Sequence, residues 1–182
     1  ADQLKWLNSA ILDELVPKKK DPNAFKIPDS HEDLQFMAKL TEQAERYDEM
    51  VLCMRKIVKL NSELSQDERN LLAVAYKNVI SPRRAAWRVI TAIEQQEIER
   101  QQSAGGAPSE NLPTMVMLRK QFEQELAASC EDLLGLLDTY LIPGAQGGEP
   151  KVFYLKMKGD YHRYYAETAP GDSQKTLALE AY

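Results

Sequence analysis

The spacing of the apolar residues constrains this chain most. Along nearly the whole sequence they recur at intervals of three and four positions, which places them on one face of an α-helix. No segment alternates with a period of two convincingly enough to predict a strand. The pattern therefore predicts an all-helical protein. Its clearest stripes are Leu34, Met37, Leu40 and Ala44; Met50, Met54, Ile57 and Val58; and Phe122, Leu126, Leu133, Leu134 and Leu137.

Breaks in this periodicity predict where helices begin and end. Ser65, with Glu68 three residues later, is a capping-box pattern that predicts the start of a long helix over about 67–102. Glycine and proline residues predict loops over 101–113 and 143–150. Further helices are predicted over 114–141, over 152–166 and, in part, over 176–182. The predicted buried positions of the long helix are Leu71, Val74, Ala75, Trp87, Ile90 and Ile93.

The pattern divides the chain into two parts. Residues 1–30 are predicted to form an amphipathic helix, ended by Pro17, and a linker. Residues 31–182 are predicted to form one helical domain, since a chain of 182 residues is long enough to bury one core. The apolar face of the N-terminal helix consists of Leu4, Leu7, Ile11 and Leu15.

Charge and cysteine content argue against several functions. A formal net charge of −5 disfavours a general nucleic-acid binder, which needs a basic surface. Two cysteines and two histidines without close spacing predict neither a disulfide framework nor a metal site, and no glycine motif predicts a nucleotide cofactor. No apolar run reaches the roughly 18–20 residues of a membrane span, and the N-terminus does not read as a secretory signal. We therefore expect a soluble intracellular protein without a cofactor.

Two clusters could carry chemistry. Lys77, Arg84 and Arg88 lie near one stripe of the long helix, which indicates either a solvated cationic face or a site for an anion. Arg163 and Tyr164 are explained either by aromatic core packing, with Arg163 paired to a carboxylate, or by convergence on an oxyanion. No nucleophile accompanies the acidic residues, so the sequence does not indicate an enzyme.

Three segments resemble motifs of the 14-3-3 family. Residues 69–79 read RNLLAVAYKNV, which resembles that family's RNLLSVAYKNV. Residues 154–164 read YLKMKGDYHRY and resemble its YLKMKGDYYRY, and residues 40–50, LTEQAERYDEM, match its first-helix motif. Since the three motifs are long, separate and in the family's order, the resemblance extends over about residues 33–166.

The resemblance implies a non-catalytic adaptor. Members of the family are all-helical dimers that bind phosphoserine or phosphothreonine segments of client proteins in an amphipathic groove, so the cytoplasm is the expected location, with the nucleus as a second one. The positions that match phosphate-binding residues are Lys77, Arg84, Arg163 and Tyr164, with Arg88 as a supporting basic residue. The positions that match the peptide groove are Val74, Lys156 and Asp160.

The resemblance also implies a homodimer, or a heterodimer with a family member. An Arg46–Glu125 pair across the dimer is expected, whereas Leu118, Gln121 and Ala86 replace polar residues common in the family. With alanine at position 86, phosphorylation there cannot control dimerisation. The positions that match the interface are Leu40, Ala44, Arg46, Ile90, Ile93 and Glu125.

Other departures leave two functions open. The sequence is expected to stop within the seventh of nine family helices, which would leave the groove half built, and Pro82 is expected to kink or loosen the long helix before Arg84. Residues 1–30 have no counterpart, and they are expected to pack on the domain or its dimer mate; the alternative is that they occupy the groove or the surface left exposed by the missing C-terminal helices. The leading hypothesis is a phospho-dependent adaptor. The alternative is a structural dimerisation module with little client binding.

Overall fold

All elements in the described part of the chain are helical. The computed structural model describes residues 25–104 and 109–168. Its helices are α1 (His31–Gln43), α2 (Tyr47–Leu60), α3 (Gln66–Ala104), α4 (Leu112–Leu136) and α5 (Gly148–Thr168). Helix α4 continues without a break into a π-helix, Leu137–Leu141, and a short α-helical turn, Ile142–Gly144. The all-helical prediction is confirmed for these residues, whereas the helices predicted near residues 4–15 and 176–182 lie outside the described ranges.

Side-chain caps fix the starts of two helices. The Ser30 hydroxyl accepts a hydrogen bond from the Asp33 N–H (3.1 Å) at the start of α1. At the start of α3, the Ser65 N–H donates to the Glu68 carboxylate (2.8 Å), and the Glu68 N–H donates to the Ser65 hydroxyl (3.3 Å). This reciprocal pair is the predicted capping box. Because Glu68 also contacts His31, the same carboxylate joins the starts of α1 and α3.

Helix α3 continues through Pro82. Proline has no N–H, so the bond to the carbonyl of Asn78 is missing at this turn. Side chains donate to two neighbouring carbonyls, Asn78 Nδ2 to Val74 O and Arg83 Nη1 to Val79 O, each at 2.9 Å. The expected weak point therefore lies within an unbroken helix of 39 residues.

The helices pack in chain order around one core. Helix α1 packs on α2, α2 on α3, α3 on α4, and α4 on α5. Most of the predicted stripes are buried, including Leu34, Met54 and Leu133. Leu40 and Ile93 were predicted to share apolar core faces, but they are 47% and 41% exposed in the single chain. The period of the pattern was right, yet these positions fall on the part of each helix that no described neighbour covers.

A polar network of Tyr76, Asp132 and Arg55 joins α2, α3 and α4. The buried Tyr76 hydroxyl of α3 donates to Asp132 of α4 at 2.5 Å, and Arg55 of α2 lies 3.2 Å from the other oxygen of Asp132. Burial, together with the hydrogen bond to Asp132, raises the pKa of Tyr76 far above its ordinary value. The hydroxyl therefore stays protonated and acts as a fixed donor.

The cysteines are buried in the helical core. Cys53 and Cys130 are free thiols, and burial raises the pKa of both, that of Cys130 to about 12. A thiol held protonated in this way is a poor nucleophile. Within residues 25–104 and 109–168, no helix combines the length and apolar character needed to cross a membrane.

Candidate functional site: a cationic pocket between α3 and α5

A pocket of about 370 Å³ lies between α3 and α5. Its α3 wall carries residues spaced three, four and seven positions apart, which one helix face presents together. Cationic side chains come from both helices and aromatic ones from α5, so Lys77 and Arg84 of one predicted cluster and Tyr164 of the other meet here. The lining residues are Ala73, Lys77, Ile80, Ser81 and Arg84 of α3, and Phe153, Lys156, Met157, Asp160, Tyr161 and Tyr164 of α5.

Arg84 is the most strongly held cation of the pocket. Its guanidinium lies 4.0 Å from the centre of the Tyr164 ring, a cation–π contact. Its Nε and Nη2 donate to the two carboxylate oxygens of Glu167 at distances between 2.6 and 3.0 Å. The side chain of Arg84 is only 16% exposed. A ring and a bidentate carboxylate thus fix the guanidinium plane.

Glu167 was not predicted from the sequence. Besides Arg84, it lies 3.3 Å from Arg88 Nη2 and 3.8 Å from Arg163 Nη1. One carboxylate therefore faces three guanidinium groups, two from α3 and one from α5. Glu167 follows Arg163 by four positions, and this spacing could have predicted the contact between these two side chains on one helix. The contacts of Glu167 with α3 depend on tertiary packing, which local spacing does not report.

Arg163 lies beside the pocket and does not line it. Its guanidinium is 4.6 Å from the centre of the Tyr164 ring, on which Arg84 also packs. Its side chain is 56% exposed, and its Nη2 donates to Asp160 at 3.3 Å. The structure thus shows the carboxylate pair of the first alternative and places Tyr164 in the pocket lining, whereas convergence of Arg163 and Tyr164 on an oxyanion stays a prediction.

The two lysines of the pocket differ in their partners. Lys156 donates to Asp160 at 2.8 Å. Burial disfavours ionisation of Asp160, but hydrogen bonds from Lys156 and Arg163 outweigh it and hold the pKa of this carboxyl below its ordinary value. Lys77 is exposed and forms no ion pair with any residue that the structure describes. Lys77 is thus the cation of the lining whose charge is least compensated.

Tyr161 and Tyr164 form an aromatic floor below the charged groups. Their rings pack edge to face, with centres 5.3 Å apart, and the Tyr161 ring packs in the same way on Tyr76 at 6.4 Å. Burial raises the pKa of Tyr161 well above its ordinary value. The Tyr161 hydroxyl therefore stays protonated near the guanidinium groups.

Besides Arg163, two further predicted residues, Val74 and Arg88, lie outside the pocket lining. Val74 borders a separate depression of about 340 Å³, together with Lys39, Asn70 and Leu71. It precedes Lys77 by three positions on α3, so the two side chains are neighbours on the helix surface. Arg88 is 59% exposed, and among the described residues it is joined to the cluster through Glu167.

The residues predicted for a dimer interface lie on α1, α3 and α4 and at the corner after α1. Leu40, Ala44 and Ile93 are exposed, whereas Ile90 is half-buried.

In the single chain, Arg46 pairs with Glu49, and Glu125 lies 3.6 Å from Arg83. An Arg46–Glu125 pair between two chains would compete with these contacts.

The site does not have the form of a metal centre. Within the described ranges, no group of three or more histidine, cysteine, aspartate or glutamate side chains could hold a metal ion. The pocket instead combines cations, ring faces and two carboxylates that hold the cations in place. Such a lining suits a compact anion bound through charge-assisted hydrogen bonds.

The fold and the site together define an all-helical protein with a cationic pocket between two of its helices. The sequence model of the 14-3-3 family, described as "14-3-3 protein", matches residues 37–182. The chain therefore belongs to the 14-3-3 family.

Curated relatives agree with this assignment. The chain is 54% identical over 156 residues to the 14-3-3 family protein artA of Aspergillus flavus, covering 84% of this chain and 63% of that protein. It is 54% identical over 143 residues to 14-3-3 protein epsilon of Drosophila melanogaster, covering 79% and 52%. It is 49% identical over 156 residues to protein BMH1 of Saccharomyces cerevisiae, covering 84% and 57%. The chain thus spans roughly half to two thirds of the length of these relatives.

Proposed function

We propose that this chain is a non-catalytic adaptor that binds phosphoserine or phosphothreonine segments of client proteins. One observation supports this most strongly: Lys77, Arg84 and Tyr164, on two separate helices, line a single pocket. A phosphorylated side chain carries about −1.5 to −2 charges near pH 7 and three acceptor oxygens. A neutral serine would gain none of the charge-assisted hydrogen bonds that this lining offers.

The donors still available in the pocket suggest how the phosphate binds. Glu167 occupies Nε and Nη2 of Arg84, and no described residue accepts from Arg84 Nη1. Lys77 is also without an ion-pair partner among the described residues. In our proposal, Arg84 Nη1 and the Lys77 ammonium donate to the phosphate, and the Tyr164 hydroxyl and Arg163 complete its contacts from α5.

The flanking residues would hold the client's main chain. Lys156 and Asp160 form an ion pair on the α5 side of the pocket, where they offer a donor and an acceptor to peptide groups. Val74 provides an apolar contact one helical turn from Lys77. Arg88 supports the site indirectly, because it shares Glu167 with Arg84.

Lys77→Glu tests the pocket directly. We expect it to abolish binding of a fluorescein-labelled phosphoserine peptide in an anisotropy titration. The substitution replaces the least compensated cation with a carboxylate, which repels the phosphate. Lys59→Glu is the matched control, because Lys59 is exposed on α2 and lies outside the pocket lining. This substitution changes the net charge by the same amount as Lys77→Glu. Circular dichroism checks that both variants keep their helices. Unchanged affinity in Lys77→Glu would refute the pocket assignment.

We also propose that the chain acts as a dimeric scaffold, with the cytoplasm as its expected location and the nucleus as a second one. Apolar side chains on α1 and α3, including Leu40 and Ile93, are exposed and support a protein interface. The same exposure favours the second candidate, a structural dimerisation module that binds few clients. The anisotropy titration separates the two, because only the adaptor discriminates a phosphorylated peptide from its unphosphorylated form.

A further inference from the structure

We propose that Ser81 is a phosphorylation site, and that its phosphate occupies the cationic pocket of its own chain and closes it to clients. The inference rests on the proposed function, because it concerns regulation of the same pocket. Ser81 is exposed and lies in the lining between Lys77 and Arg84. The chain therefore places a hydroxyl that can accept a phosphoryl group inside the site proposed to bind one.

The Ser81 hydroxyl is not engaged by its own helix. Other helical hydroxyls, those of Thr91, Ser103 and Ser129, donate to the carbonyl four residues earlier at 2.8–2.9 Å. This is the common arrangement for serine and threonine inside a helix. Ser81 makes no hydrogen bond with any residue in the described ranges. Its oxygen is therefore available to react without breaking an existing contact.

Helical geometry places a phosphate on Ser81 among the pocket cations. Lys77 precedes Ser81 by four positions and Arg84 follows it by three, so both are surface neighbours of Ser81. A phosphate of about −1.5 to −2 charges would compete well with the single charge of Glu167 for Arg84. Because it would be tethered within the site, its effective concentration would be about millimolar or above. A client phosphate would have to displace it.

The local sequence favours access by a protein kinase. Ser81 precedes Pro82, and proline disfavours the helical conformation of the residue before it. Pro82 also leaves the turn short of one backbone hydrogen bond. The segment Ser81–Arg84 reads SPRR, and serine followed by proline, with a basic residue three positions after the serine, is the pattern that proline-directed kinases accept. The weakest turn of α3 thus coincides with the kinase pattern.

The reaction requires ATP as the phosphoryl donor and a proline-directed serine/threonine kinase. The Ser81 oxygen forms a bond to the γ-phosphorus, and the bond between that phosphorus and the β,γ-bridging oxygen breaks. The hydroxyl proton passes to the kinase's base, and ADP leaves with the bridging oxygen. The products are phosphoserine at position 81 and ADP.

The first arm of the test is kinase treatment of the whole chain, read out by intact mass and peptide mapping. We expect the parent chain to gain a single phosphoryl group, on Ser81. We expect the Ser81→Ala variant to gain none at position 81. A matched synthetic peptide of residues 77–88 verifies that the kinase is active. Complete phosphorylation of the peptide with no modification of Ser81 in the chain would overturn the proposal.

The second arm measures the effect on binding. Phosphoserine is placed genetically at position 81, and at position 103 as a control, which lies roughly 33 Å further along the helix. We expect phosphoserine at 81 to weaken binding of a labelled phosphoserine peptide by more than about tenfold, because the tethered phosphate competes for the pocket. We expect phosphoserine at 103 to leave it unchanged. Equal affinities for all three proteins would overturn the proposal.

A third readout does not depend on client binding. The second pKa of free phosphoserine is about 6, and nearby cations lower it by favouring the dianion. We expect ³¹P NMR titration to give a lowered pKa for phosphoserine 81 and a value closer to the free one when Lys77→Gln is added. An ordinary pKa in both proteins would overturn the proposal. If the unmodified chain fails to bind the peptide, the proposed function fails, while the NMR titration still decides whether the phosphate occupies the pocket.

Discussion

At the scale of single residues, Glu167 organises the cationic cluster. It is bound bidentately by Arg84 and also faces Arg88 and Arg163. Without this carboxylate, the guanidinium groups of Arg84 and Arg163, which both pack on the Tyr164 ring, would lose the anion that they share. Glu167 thus compensates the charge of the guanidinium groups, whereas Lys77 has no ion-pair partner among the described residues.

We expect Glu167→Gln to destabilise the fold by about 1–3 kcal/mol, because it removes the charged partner of a largely buried arginine. The measurement is urea unfolding followed by circular dichroism. Glu110→Gln serves as the control, since Glu110 is exposed and forms no ion pair in the described part of the chain. Equal unfolding midpoints for Glu167→Gln and the control would contradict the role assigned to Glu167.

The site residues differ in how far the sequence could reveal them. The seven-residue spacing of Lys77 and Arg84 predicted only that they share a helix face, and their assignment to a phosphate site came from the resemblance to the 14-3-3 family. The pairing of Arg84 with Glu167 joins residues 83 positions apart, so no local pattern reports it. The position of Val74 beside Lys77 on α3 was predictable from their spacing. Its place outside the pocket lining was not, because the pocket boundary depends on where α5 packs.

At the scale of elements, the start of α3 depends on one buried carboxylate. Burial disfavours ionisation of Glu68, but hydrogen bonds from the Ser65 N–H and from His31 and the Ser65 side chain outweigh it and hold its pKa below the ordinary value of 4.5. A depressed folded-state pKa adds stability that is present above the unfolded-state pKa. That stability is lost as the pH falls from about 4.5 through the folded-state pKa.

Glu68→Gln should therefore reduce the pH dependence of stability in acid. Glutamine keeps an acceptor for the capping box but has no charge to lose. We expect the free energy of unfolding of the parent chain to exceed that of the variant at pH 6 and the difference to shrink below pH 4.5. Urea titrations at a series of pH values measure it. A constant difference across this range would count against the role of Glu68.

Pro82 makes its turn of α3 the weakest part of a long helix. We expect Pro82→Ala to stabilise the chain by up to about 3 kcal/mol, because alanine restores the missing hydrogen bond and removes the ring's clash with the preceding turn. Amide hydrogen exchange should show slower exchange around residues 78–86. Unchanged or faster exchange there would contradict the account of this turn.

Helix boundaries could be predicted where local chemistry decides them. The long helix was predicted over about 67–102 and extends over Gln66–Ala104, since its capping box is a local signal. The last described helix was predicted to begin at 152 but begins at Gly148. Pro150 was interpreted as part of a loop, yet it lies in the first turn, where the missing N–H of proline costs nothing. The π-helix after α4 had no signal in the apolar pattern.

At the scale of the whole molecule, the exposed apolar side chains form the surface through which we propose that two chains associate. Leu40 is 47% exposed on α1, although it belongs to the same sequence stripe as the fully buried Leu34. The stripe predicted an apolar face correctly. It could not show which part packs within the chain and which part is left for a partner, because that depends on the neighbouring helices.

We expect Leu40→Glu to weaken self-association by at least about tenfold, since it places a charge in the proposed interface. Sedimentation velocity over a concentration series measures the change. Leu60→Glu is the control, because Leu60 is 55% exposed at the end of α2, outside the proposed interface. Equal association of both variants would contradict the proposed dimer surface.

The most direct test of the account is a calorimetric titration of the unmodified chain with one serine peptide in its phosphorylated and unphosphorylated forms. We expect saturable binding of the phosphorylated peptide that weakens as salt is raised, because charge-assisted contacts with Lys77 and Arg84 dominate. We expect no measurable binding of the unphosphorylated form. Equal affinity for the two peptides, or binding of neither, would contradict it.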